Sequence, residues 1–277
     1  MIDIGSGPPL VLLPGIQGRW EWIAPTALAL SATFRVLAAS LPGEPGSGMP
    51  HDRRAGFDMF VDQIDRILDR ASVKSAVVCG VSFGGLISVA FAAARPERVT
   101  ALVLASAPGP RWKPDARVAR YMKAPITSIP SFVWSAAGRL YPEVTAALPT
   151  RGARFLFLAR HLSRLMRAPM SPRRMTDRIA LSGTVDFVGA CRSITAPTLV
   201  VAGEPELDRV VPVAGMAEYI ELIRNARFTT IGNGGHIGMV TRAQAFASLV
   251  TGFVETGVSP ARVETDSSRH DGHARVA

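Results

Sequence analysis

Four short runs in this chain are almost wholly apolar: Pro9–Leu13, Ser75–Cys79, Val99–Ala105 and Thr198–Ala202. A strand with one wet face alternates polar and apolar residues, so an unbroken apolar run marks a strand covered on both faces. Helical patterns lie between the runs. Phe57, Phe60/Val61, Ile64 and Ile67/Leu68 recur at three to four residues across Phe57–Arg70, one face of a helix. Trp20–Leu30 reads as a second amphipathic helix, and Phe83–Ala94 as a helix of small residues stopped by Arg95-Pro96. Phe34–Ala39 and Phe228–Ile231 are weaker strands, and Met216–Ile223 and Ala243–Glu255 are helical. This alternation predicts an α/β fold with a mostly parallel central sheet and helices on both faces.

From Arg111 to Ser193 the strands stop. Only Arg-rich helical stretches remain, expected to break at Pro125, Pro130, Pro142, Pro149, Pro169 and Pro172. The parse is therefore an α/β core over 1–110 and 194–256, an all-helical lid over 111–193, and a polar, aperiodic tail over 257–277 expected to be disordered. The size fits: 277 residues, 48% hydrophobic and 19% charged, suffice for one large domain with an insertion. Two cysteines exclude a disulfide framework or a four-cysteine zinc site. The longest apolar runs are too short to cross a bilayer. The opening Gly-Ser-Gly-Pro-Pro lacks the features of a signal peptide, so a cytoplasmic protein is expected.

The net charge of +9 is unevenly placed. Between Arg111 and Arg192 stand thirteen Arg and two Lys against Asp115, Glu143, Asp177 and Asp186, which is +11 and leaves −2 for the rest. A block of one sign suggests an anionic partner. The bland alternative is a solvated surface in an Arg-rich proteome, since 28 of the 31 cations are Arg.

Gly80-Val81-Ser82-Phe83-Gly84 matches G-x-S-x-G and sits where that pattern has mechanical meaning, between a buried strand and a helix. The turn is so tight that the serine's neighbours must lack side chains, which assigns Gly80 and Gly84 as elbow glycines and Ser82 as nucleophile. A serine needs a base. Among five histidines, only His236 follows a sheet strand in a glycine loop, Asn233-Gly234-Gly235-His236. The base needs an orienting carboxylate. Glu204, Glu206 and Asp208 all follow Thr198–Ala202, at the edge of a parallel sheet where α/β sites form.

Read together, Pro8–Gly15, Leu41-Pro42-Gly43, Gly80–Gly85, Arg95–Val99, Asp208–Pro212 and Gly234-Gly235-His236 make the chain resemble the α/β-hydrolase superfamily in its capped bacterial form, from about Gly5 to Glu255. The resemblance implies a Ser82, Asp208, His236 triad and an oxyanion hole of the Ile16 and Phe83 N–H groups. Two departures stand out. Pro14-Gly15 replaces the family's His-Gly. The family's spacing rules for the acid also disagree: Gly203 plus three gives Glu206, and Pro212 minus four gives Asp208. The five-residue match Asp-Arg-Val-Val-Pro favours Asp208, with Glu206 as the alternative.

The expected activity is hydrolysis of a carboxylic ester through an acyl-enzyme, with no metal and no organic cofactor. The alternatives are C–C bond hydrolysis, lactone hydrolysis or acyl transfer on a carboxylated substrate by the same triad. Further off is a non-catalytic ligand receptor. The expected substrate is a small ester or acyl compound, anionic or carried on an acidic protein, and nothing suggests nucleic-acid binding. Gln17, beside Ile16, and Arg160 and Arg164 are candidate substrate contacts. In the insertion, Phe155, Leu158, Leu162 and Leu165 form a helical stripe expected to face the pocket or core.

Overall fold

A computed structural model describes residues 1–256; the tail expectation for 257–277 lies outside the described residues. Seven strands form one sheet: β1 Ile2–Ile4, β2 Pro9–Leu13, β3 Arg35–Ala38, β4 Ala76–Val81, β5 Val99–Ala105, β6 Thr198–Ala202 and β7 Ala226–Thr230. Their order is β1-β3-β2-β4-β5-β6-β7. All neighbours are parallel except β1, which runs antiparallel to β3. Strand β1 is too short to show alternation; pairing with β3 and an ion pair from Arg35 to Asp3 at 2.6 Å hold it.

The apolar runs are buried on both faces, as their lack of alternation requires. On β2, Val11 and Leu13 enter one cluster with residues of α2 (Asp58–Arg70) and α3 (Phe83–Ala94). Leu10 and Leu12 enter the other with α1 (Ala24–Leu30) and the last helix, α11 (Ala243–Glu255). The expected helix Trp20–Leu30 is two pieces, a 3-10 turn Trp20–Ile23 and then α1. Pro25 lies in the first turn of α1, where its missing N–H costs nothing.

Five helices lie between β5 and β6: α4 Ala116–Lys123, α5 Ile129–Ala147, α6 Arg151–Arg167, α7 Pro172–Ser182 and α8 Phe187–Ser193. Side chains cap four of them at the N-terminus: Asp115, Thr150, Ser171 and Asp186 accept from the N–H groups of Val118, Ala153, Arg174 and Gly189. Two expectations need correcting here. Pro142 does not break α5, which continues to Ala147. Helix α8, placed inside the 111–193 segment, packs with the core instead, because Phe187 and Cys191 are buried in the cluster that holds α3 and α9 (Val213–Leu222).

Strand β2 lies between β3 and β4, so the chain leaves it on one side and returns on the other. The loops after β2 and β4 therefore part at the carboxyl edge of the sheet and leave a crevice there. Strand β7 is followed by a loop and the short helix α10 (Gly238–Thr241), which sequence periodicity did not reveal.

Candidate active site

Strand β4 runs straight into Ser82, whose backbone is at φ 52° and ψ −118°, and α3 starts at the next residue. A non-glycine residue held there stores roughly 1–3 kcal/mol of strain, which the surrounding packing must sustain. The flanking glycines show why the turn is possible. A Cβ on Gly80 would strike the backbone of Gly84 and the Ser88 hydroxyl, and one on Gly84 would sit 2.7 Å from the Leu13 and Pro14 carbonyl oxygens. The loop after β2 thus lies against the elbow. The Phe83 N–H is the first of α3 and has no carbonyl one turn back to bond. The Ile16 N–H makes no backbone hydrogen bond among the described residues.

The loop after β6 carries the acid. Asp208 is buried, and its Oδ1 accepts from the N–H groups of Val210 at 3.0 Å and Val211 at 3.1 Å. Its Oδ2 faces His236 Nδ1 at 3.4 Å. Burial by itself would raise the Asp208 carboxyl, but the His236 ring and the two N–H donors outweigh it and hold the group below the usual carboxylate range. Glu206 is exposed and makes no such contact. Glu204 has another place. Its Oε1 accepts from Asn233 N–H at 2.8 Å and its own N–H donates to the Gly234 carbonyl at 2.7 Å, tying the loops after β6 and β7 together.

Ser82, His236, Ile16, Gln17 and Phe83 all line one cavity of about 490 Å³. Much of the remaining wall comes from the helices after β5, through Tyr121, Phe132, Leu140, His161, Leu165 and Met175, and the rest from core residues such as Trp22, Val210 and Met239. The cavity is largely apolar, with Arg117 and Arg139 as its cations. Arg160 and Arg164 do not line it, so their expected contact with substrate is not made here. The apolar stripe is corrected likewise. Leu165 lines the cavity, but Phe155, Leu158 and Leu162 are exposed to solvent.

Three groups at the site escaped sequence reasoning. Glu143 of α5 is fully buried and accepts from Ile237 N–H at 3.1 Å through both oxygens, one residue past His236. Burial raises its carboxyl above the ordinary range, opposed in part by the N–H groups of Ile237 and Gly235 and by the His236 ring. The available signal was a single carboxylate in an otherwise uncharged stretch of α5 after Arg139. Arg178 of α7 is also fully buried. It donates to the Ile16 carbonyl at 2.7 Å and pairs with buried Glu44 at 2.7 Å, while Arg174 meets the other Glu44 oxygen at 3.2 Å. Third, His161 stacks on Phe157 and meets Trp22 edge-on, both at 5.6 Å, with its pKa lowered by burial and by Arg164. No marker separated it from an ordinary helix histidine.

Among the described residues no group of three or more His, Cys, Asp or Glu side chains could hold a metal. No helix there is long and apolar enough to cross a membrane.

A mostly parallel sheet thus carries a strained serine at a strand–helix elbow and a carboxylate-paired histidine beside the same cavity. The family model for the alpha/beta hydrolase fold matches residues 8–181, and the chain belongs to that family of enzymes. It is 27% identical over 266 residues to the 2-hydroxymuconate semialdehyde hydrolase of Pseudomonas sp. strain CF600, covering 91% of this chain and 88% of the relative. It is 29% identical over 270 residues to a pimeloyl-[acyl-carrier protein] methyl ester esterase of Stenotrophomonas maltophilia, covering 93% and 96%. Among solved structures, the enol-lactonase of Burkholderia xenovorans LB400 superposes with a TM-score of 0.76 at 22% identity, covering 92% of this chain and 95% of that one.

Proposed function

We propose that this α/β hydrolase cleaves a carboxylic ester through an acyl-enzyme on Ser82. The observation that carries the reading is the Asp208–His236 pair at 3.4 Å beside the cavity that Ser82 lines. Asp208, anchored by two N–H groups, fixes the tautomer with the proton on Nδ1. Nε2 then takes the Ser82 proton as Oγ attacks the ester carbonyl. The N–H groups of Ile16 and Phe83 receive the oxyanion, each donor worth about 3–4 kcal/mol in the transition state. His236 returns the proton to the departing alkoxide. Water, deprotonated by the same ring, releases the acid and regenerates Ser82. Helices α4–α7 act as the lid, which their share of the cavity lining supports.

A second reading keeps the same residues and hydrolyses a C–C bond in a carboxylated substrate. The cavity cations Arg117 and Arg139 support it, and a relative at 27% identity is named a 2-hydroxymuconate semialdehyde hydrolase. A substrate carried on an acidic protein is supported only by the printed name of the esterase relative. Hydrolysis of p-nitrophenyl esters of graded chain length separates the readings. The first expects rapid turnover that Ser82→Ala lowers by several orders of magnitude with the fold intact. Negligible turnover by a protein whose Ser82 still reacts with a fluorophosphonate favours the second. Retention of more than a few per cent of activity by Ser82→Ala refutes both.

A further inference from the structure

The cavity beside Ser82 holds positive charge and no negative charge to match it. Arg117 and Arg139 line it, and among the described residues no Asp or Glu does. The two cations are not equivalent. Arg117 pairs with Asp115 at 3.2 Å, and both side chains are partly exposed. Arg139, on α5, is half-buried and makes no ion pair among the described residues. Its Nη1 donates to Ser135 Oγ, one turn back on the same helix, but its Nε is enclosed and has no hydrogen-bond partner. Burial and the neighbouring Arg117 both press against its charge, and Tyr121 and Asp115 relieve that only in part. A guanidinium stays protonated even so. The fold therefore holds a cation whose lost hydration it does not replace. A half-buried donor left open in this way calls for an acceptor from outside the chain.

Helix α5 sets where that acceptor would sit. Arg139 and Glu143 stand four residues apart, on one face of the helix and about 6 Å apart along its axis. Glu143 holds the Ile237 N–H at 3.1 Å, next to His236. Arg139 is thus one turn along α5 from the contact with the histidine loop. Around it Phe132, Ala136 and Leu140 make the cavity wall apolar.

We propose that Arg139 anchors a carboxylate on the substrate, so that the molecule cleaved at Ser82 carries an acid group at a distance from the bond that is cut. The proposal rests on the reading that this cavity takes the substrate, whichever bond is broken there. Only Nη1 of Arg139 is engaged, which leaves N–H groups of the planar fork for a carboxylate. In an apolar wall such a pair is stronger than in water. The Tyr121 hydroxyl, on the same cavity wall, is a further donor. A monoanion suits the site better than a phosphate dianion, because Asp115 already answers Arg117 and one cation is left over.

Tryptophan fluorescence of the full-length Ser82→Ala protein reads occupancy, since Trp22 and Trp112 line the cavity. The ligands are the monomethyl and dimethyl esters of straight-chain dicarboxylic acids from succinic to suberic. Each monoester keeps one carboxylate, and its diester has nearly the same shape without the charge. At the chain length that spans the site, the monoester should bind about tenfold or more tighter than its diester. Arg139→Leu should bring the two within about twofold of each other, and Arg139→Lys, which keeps the charge but not the fork, should retain part of the preference. Should Arg139→Leu not fold, Arg139→Gln serves in its place. Equal affinity for monoester and diester across the whole series overturns the proposal, as does failure of every monoester to bind. So does a preference that Arg139→Leu leaves in place, since the charge would then be read elsewhere. Turnover of the same esters by the parent chain is measured separately. Preferential binding of a monoester without its hydrolysis strikes the esterase reading alone, and hydrolysis without any preference for charge strikes the Arg139 subsite alone.

Discussion

Glu143→Ala should impair turnover without loosening substrate binding. Both Glu143 oxygens hold the Ile237 N–H at 3.1 Å, next to His236, and Thr241 Oγ1 approaches at 3.5 Å. Glu143 itself is not part of the cavity wall. Truncation leaves a donor without its partner, a loss of about 1–3 kcal/mol. If that loss falls on the active arrangement of the His236 loop, kcat drops about 5- to 150-fold, at 1.4 kcal/mol per factor of ten, while KM holds. Loss of the buried charge offsets part of the effect on stability, so the change in Tm should be smaller than the change in kcat implies. Glu143→Gln keeps an acceptor oxygen of the same reach and should restore most of kcat. Steady-state kinetics per active site, with sites counted by fluorophosphonate labelling, give the readout and remove any contribution from unfolded protein. Amide exchange at Ile237 should quicken in the alanine variant. A kcat within twofold of the parent, or a rise in KM at constant kcat, would refute the argument that α5 positions the histidine loop.

Other outcomes follow from the same contacts. Asp208→Asn should lower kcat by orders of magnitude while the exposed Glu206→Gln stays within twofold; the reverse ranking transfers the acid's role. Asp208 has its carboxyl held low, so its contribution to stability is complete above the ordinary carboxylate range near pH 4 and is lost as pH falls through its lower folded value. Urea melts over that interval should show a steeper acid loss in the parent than in Asp208→Asn. Glu44→Ala strands the fully buried Arg178 guanidinium, which burial already disfavours as a cation, and should cost about 3–5 kcal/mol in urea unfolding. The same change should reduce kcat, because Arg178 also holds the Ile16 carbonyl.

What the sequence determines here is whatever depends on near neighbours in the chain. The apolar runs specify doubly covered strands, and β5 and β6 fall at the expected residues because no polar alternation competes. The elbow is equally local, since Gly80, Ser82 and Gly84 constrain one turn. His236 stands out by its glycines. Choosing between Asp208 and Glu206 was a matter of two residues of loop, and only the path of the β6 loop turns Asp208 inward and leaves Glu206 in water. The sequence likewise carries the periodicity of α6 but not its orientation. Phe155, Leu158 and Leu162 form a stripe on any helix, and the packing of His161 and Leu165 against the cavity sends that stripe outward. Glu143 and Arg178 lie 94 and 162 residues from the backbone groups they hold. Nothing in their own segments marks them, because a buried charge is recognised by its partners, and tertiary structure alone supplies those.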